Sequence, residues 1–197
     1  MSQSIRRAGG ATVTALLCLI PNPHPAAQAV NNGPERFTAF AVDISNTAPR
    51  ANATTVDITI NRWSSDADRD RLLNVLKESG QDALLSALQK MPVVGYINTP
   101  GSLRYDLHFA RQRPAPDGGR TIVLATDRFI SMWEAVNRPR SIDYPFTLIQ
   151  LQLDKNDEGV GKVSIATKIT AGEGNMIELE NFSDQPVRLS QIRKVKS

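Results

Sequence analysis

The chain has 197 residues, 41% of them hydrophobic and 22% charged, which is the composition of a globular protein and not of a disordered one. Its formal net charge is +3, from 23 basic and 20 acidic residues. So small an excess gives no general pull toward nucleic acid, and no apolar run approaches the roughly 18 residues that a membrane-spanning helix needs.

Residues 1 to 29 read as a secretory signal peptide. Arg6 and Arg7 form a positive start, ATVTALLCLI (11 to 20) is an uncharged apolar run, and Pro21, Pro23 and Pro25 end it. Ala27-Gln28-Ala29 then offers small residues around a cleavable bond, so export with cleavage near Ala29 is expected. Without Arg6 and Arg7 the rest of the chain holds 21 basic and 20 acidic residues. The one cysteine, Cys18, lies inside the apolar run behind Leu17, a poor lipobox. An exported remainder therefore has no disulfide, no thiolate metal site and no cysteine nucleophile.

The remainder, 30 to 197, reads as a single domain of antiparallel strands. FTAFAVDIS (37 to 45) is the first. From Val56 to Trp63 apolar Val56, Ile58 and Ile60 alternate with Asp57, Thr59 and Asn61, the pattern of a half-buried strand. The period then lengthens to that of a helix. Ser65 caps it, with Asp66, Asp68 and Asp70 in the first turns, where the helix dipole favours acid. Leu72, Leu73, Val75 and Leu76 form its apolar stripe, and Ser79-Gly80 ends it. A second helix from about Asp82 to Gln89 stops before Pro92, so a helical hairpin is expected over about 65 to 91. The three aspartates at spacing two lack the glycine and later glutamate of a calcium loop and read as capping residues.

Strands resume with VVGYIN (93 to 98). Leu103, Tyr105, Leu107 and Phe109 alternate with Arg104, Asp106 and His108, and further strands follow at 121 to 126, 146 to 154, 162 to 169, 177 to 182 and 187 to 195. Asp127 could cap a short helix toward Val136. Arg193-Lys194-Val195-Lys196 reads as a short solvated tail. About eight antiparallel strands without βαβ alternation predict a mainly β fold, an antiparallel barrel or strongly curved sheet with the helical hairpin plugging or flanking one end. A two-sheet sandwich is the alternative. The strings GGRTIVLATDR, RPRSIDYPFTLIQLQLD, GKVSIATKI and IELENFSDQPVRL, between Gly118 and Leu189, resemble exported bacterial proteins to which no activity is assigned. That resemblance implies a recurring secreted domain and no particular chemistry.

Two clusters are candidates for function. His108, the one histidine after residue 24, follows Asp106 at strand spacing, so the pair could serve as a base with an orienting carboxylate. Arg104 shares that face. The segment from Asp127 to Pro145 is a long connection carrying Arg128, Trp133, Arg138, Arg140 and Tyr144, residue types that dominate binding contacts. Trp133, Tyr144, Arg138, Arg140 and Arg104 are the expected ligand contacts. One histidine cannot build a multi-histidine zinc site, Ser131 and Ser141 lack nucleophile-elbow glycines, and no phosphate-binding glycine motif occurs. Neither a metal nor a cofactor is expected. Acidic pairs such as Asp43 with Asp57 are expected by chance among 20 acids. The leading expectation is a secreted, non-enzymatic, barrel-like binding module for a small apolar or amphipathic molecule or a protein partner. The alternatives are a cofactor-free hydrolase or isomerase using His108 and Asp106, and a structural or assembly subunit of the cell envelope.

Overall fold

Alternation of apolar and polar residues sets which side of each strand faces the core, and pairing of those strands builds one antiparallel sheet. The computed structural model describes residues 33–42, 53–100, 104–127, 145–171, 177–181 and 187–196. In chain order they form β1 (Glu35–Val42), β2 (Ala53–Ile60), α1 (Asp66–Gln89), β3 (Gly95–Asn98), β4 (Tyr105–Leu107), β5 (Phe109–Pro114), β6 (Arg120–Thr126), β7 (Phe146–Leu153), β8 (Glu158–Ala171), β9 (Ile177–Asn181) and β10 (Val187–Lys194). The strand order is β4-β3-β2-β1-β10-β8-β7-β6-β5, with β9 added to β8.

The two ends of that order, β4 and β5, are one stretch of chain interrupted at His108. Leu107 pairs with Gly95 of β3, and Phe109 pairs with Ala125 of β6. Val94 N–H donates to the Leu107 carbonyl at 2.8 Å, and His108 N–H donates to the Ala125 carbonyl at 3.0 Å. The sheet is thereby nearly closed into a barrel, which removes most of its edges. The expected single strand over 103 to 109 is thus split. Leu107 and Ala110 both point inward, three residues apart, so one extra residue sits in the alternation, as in a bulge.

The inward side chains form one apolar cluster. Phe37, Ile58, Ile60, Ile97, Leu107, Ile122, Leu124, Ile149, Leu151 and Leu189 are all fully buried in it. The outer wall carries Thr38, Asp57, Gln150, Gln152, Lys162 and Arg188. This is the inverse of a membrane-spanning barrel, whose apolar band faces outward. No helix among the described residues is long and apolar enough to cross a membrane.

Helix α1 begins with a capping box. Ser65 Oγ accepts from Asp68 N–H at 3.1 Å, and Asp68 Oδ2 accepts from Ser65 N–H at 2.9 Å. The Ser65 N–H, with the Ser65 hydroxyl donating to the same oxygen at 2.8 Å, holds the Asp68 carboxyl below its usual range. The first turns therefore behave as capping residues. Gly80, at φ 76 and ψ −168, breaks the helix where the sequence predicts, a conformation that glycine adopts without steric cost. Leu72, Leu76, Leu84 and Leu88 pack on Ala125, Phe146 and Ile169, with Phe109 and Leu148 beside them. Phe109, Ala125 and Leu148 have the opposite parity to the inward residues of their strands, so α1 covers the outer wall and does not plug the barrel. Beyond the break, Gln81 Oε1 accepts from Ile169 N–H at 3.0 Å, and so covers β8 past its pairing with β7.

At one end of the ring, side chains from three strands and a turn make a charge network around a fully buried carboxylate. The Glu35 side chain is fully buried and lies 2.8 Å from both Arg120 and Lys194. Arg120 also reaches Asp157 at 2.6 Å, in the β7–β8 turn. The network joins β1, β6, β10 and that turn. Lys194 is therefore a structural member and not part of a solvated tail, which the sequence could not reveal because Glu35 lies far away along the chain. Replacing fully buried Ile58 by Ala is expected to cost about 2–5 kcal/mol. A denaturation midpoint equal to that of the unchanged chain would contradict the burial.

Candidate functional site

The outer wall of β1 to β4 brings together a row of polar residues that lie far apart in sequence. Arg36 pairs with Thr59, Thr59 with Tyr96, and Tyr96 with Asp106. Each is the outward residue at its position, so antiparallel register alone places the four side by side. Arg104 lies two residues before Asp106. Its guanidinium carbon stands 4.6 Å from the centre of the Tyr96 ring, within cation–π range. Its Nε lies 3.5 Å from Asp106 Oδ1, an oxygen that accepts no hydrogen bond.

The phenol oxygen of Tyr96 accepts from the Thr59 hydroxyl and from Arg36, and the two guanidinium charges add to this. All of these interactions favour phenolate, and they hold the phenol below its ordinary value of 10.0. The arrangement presents two cationic forks beside a half-buried aromatic ring that Arg104 overlies, with Asp106 at one side. Forks of this kind match carboxylate or phosphate oxygens, and the ring offers flat apolar area. Arg104 was expected at a ligand site from the sequence. Tyr96, Arg36 and Thr59 were not. Their only signal is polar alternation within ERFTAF, TTVDITI and VVGYIN, which places them on an outer face without revealing which strands are neighbours.

His108 sits elsewhere, in the seam between β4 and β5. Its Nδ1 lies 3.0 Å from the Met91 carbonyl. A carbonyl only accepts, so Nδ1 carries the proton and donates it. Its Nε2 lies 3.7 Å from Asp127 Oδ1, and both side chains are about 85% buried, at 14% and 16% exposure. The carboxylate beside His108 is therefore Asp127, while Asp106 lies beside Arg104. The extra residue in the seam accounts for this, because it breaks the strand spacing that would bring positions 106 and 108 to one face. Trp133, Tyr144, Arg138, Arg140 and Arg128 lie outside the described residues, as does Asp43. Asp57 is exposed on the outer wall, opposite Thr38 and Asn98. Among the described residues no group of three or more His, Cys, Asp or Glu is placed to hold a metal ion.

Comparison with known proteins found no matching family model, no matching curated protein and no matching solved structure. The functional reading therefore rests on the geometry of the chain itself.

The lowered phenol of Tyr96 has a signed consequence. Folding favours its phenolate, so the stabilisation is absent at neutral pH. It appears as pH rises through the folded-state value and is complete above the unfolded value near 10.0. Ultraviolet titration is expected to show one of the three tyrosines ionising below 10, and Arg36→Ala is expected to move that transition upward. Tyr96→Phe should abolish it.

Proposed function

We propose that the protein is an exported, non-enzymatic binding module for an amphipathic molecule with an anionic head group. The observation that carries this reading is the stack of Arg104 on Tyr96 with Arg36 at the phenol oxygen, held on four paired strands. A rigid scaffold lowers the ordering cost of binding, and aromatic and arginine side chains supply most contact energy where ligands bind. The packed apolar interior supports recognition on the wall and not in the lumen. The sequence offers Trp133, Tyr144, Arg138 and Arg140 as further candidate contacts of the same chemical kind.

The arrangement around His108 supports binding over catalysis. A general base needs a ring nitrogen free to reach a substrate proton. Here Nδ1 donates to Met91 and Nε2 faces Asp127, so both nitrogens are directed at protein groups. The histidine fastens the seam to the chain between α1 and β3.

Decanoate is a suitable probe, with an apolar body and one carboxylate. Calorimetric titration is expected to show saturable binding, weakened about fivefold by Arg104→Ala, as the loss of roughly 1 kcal/mol in an exposed charge contact implies. His108→Ala is expected to lower the melting temperature and leave that affinity unchanged. If Arg104→Ala binds decanoate as the unchanged chain does, while His108→Ala abolishes turnover of an ester substrate, the enzyme reading takes its place. Export makes a separate prediction. The protein recovered outside the cytoplasm should begin at Val30 on N-terminal sequencing, and an intact Met1 there would refute cleavage.

A further inference from the structure

We propose that the outer wall formed by β1, β10 and β8 docks on an anionic lipid bilayer. Two neighbouring rows of side chains carry this. In the first, Arg188 of β10 pairs directly with Lys162 of β8. Both are exposed, and neither has an ion-pair partner among the described residues. Like charges directly opposite each other on a sheet oppose folding, and an anionic surface laid over both relieves that repulsion. In the second row, Phe40 of β1 pairs with Ser190 of β10. On the other side of β10, Leu189 pairs with Gly161, the neighbour of Val160 on β8. Phe40 is 46% exposed and Val160 53%, on a wall whose other outward residues are mainly polar. Two cations thus stand beside two projecting apolar side chains, separated by a small serine.

The charge of the fold is divided in the same sense. Acidic residues collect on α1, which carries Asp66, Asp68, Asp70, Glu78 and Asp82 against Arg69, Arg71 and Lys77. On the outward positions of β1, β10 and β8 the described acid is Glu158, two residues before Val160 at the start of β8, where it lies 3.8 Å from Arg193. A chain that is nearly neutral overall therefore presents one cationic wall. That wall is convex, as the outside of a barrel must be, so it meets a plane along a few strands and offers no groove to follow a polymer backbone. Exposed Phe40 and Val160 gain nothing against the phosphates of a nucleic acid, whereas at a bilayer they enter the boundary between head groups and acyl chains. These residues are distinct from Arg104, Tyr96 and Arg36, so the two surfaces can be tested separately.

The test is flotation of the full chain with vesicles of phosphatidylglycerol and phosphatidylcholine, and with vesicles of phosphatidylcholine alone. Residues 1–29 are common to every variant, so differences between variants report the wall. Binding is expected on the anionic vesicles and to fall as salt is raised. Lys162→Gln with Arg188→Gln should lower the partition coefficient about thirty-fold, as two basic residues at a membrane surface imply. Phe40→Ser with Val160→Ser should weaken binding at every salt concentration and leave the salt dependence unchanged. Arg104→Ala should bind vesicles as the unchanged chain does. Melting curves establish that each variant folds, and Lys162→Gln alone serves if the double variant does not. Equal binding to neutral and anionic vesicles, or an unchanged partition coefficient for the Lys162 and Arg188 variants, overturns the proposal. So does capture by duplex DNA or heparin under conditions where anionic vesicles are not bound.

Discussion

One stretch of chain serves two neighbours, and the barrel depends on it. Residues 105 to 107 complete the β3 side of the sheet, and residues 109 to 114 complete the β6 side. His108 is the residue at which the partner changes. A sheet of this size with both edges open would leave two rows of backbone groups unpaired, and here the same segment covers both. The seam is also where other elements converge. Ser64 exchanges backbone and side-chain bonds with Ala110, Arg111 pairs with Asp66 at the start of α1, and His108 reaches Met91 at its end. Closure of the ring and docking of the helix are thus one arrangement, secured from both ends of α1.

Closure also decides where recognition can occur. Away from the Glu35–Arg120 network, inward residues from every strand of the ring are mainly apolar and mutually packed, and half-buried glycines on β8 allow the wall to draw in. A Cβ on Gly159 would lie 1.9 Å from the Gln152 carbonyl oxygen, and one on Gly161 would lie 2.5 Å from that of Gln150. The wall cannot widen around added atoms at these points without moving β7. Chemistry is consequently displaced to the outside, where strand register assembles side chains from distant parts of the chain.

The buried charges follow a different logic from the exposed ones. Glu35, Arg120, Asp157 and Lys194 balance in number and lie within ion-pair distance of one another. Arg120 also stands over the Phe37 ring at 5.7 Å. The Glu35–Arg120 contact is close but poorly aligned as a hydrogen bond, so its role is to select one pairing of strands more than to add stability. On the wall, Arg188 and Lys162 are set together with no ion-pair partner among the described residues. An unbalanced pair of exposed cations is a cost to the folded state that a ligand can remove.

The sequence by itself determined the faces of the strands and the limits of the helix. Val56, Ile58 and Ile60 are buried together, as their alternation requires, because a period of two is a local property of extended backbone. The N-cap at Ser65 and the break at Gly80 were legible for the same reason, since each involves residues within one or two turns. The barrel class was legible from the number and spacing of the strands. Only the tertiary structure decided what stands beside what. Arg36, Thr59, Tyr96 and Asp106 come from four strands, and no local pattern states that those strands are neighbours or in which register. The partner of His108 is Asp127 and not Asp106 because an extra residue in the seam shifts the alternation. Charge shows the contrast most plainly. The near-neutral sum over the chain gives no reason to expect an anionic partner, yet folding sends acidic residues to α1 and places Arg188 against Lys162. A sum is indifferent to position, and electrostatic attraction at a surface depends on position within a distance of about 10 Å.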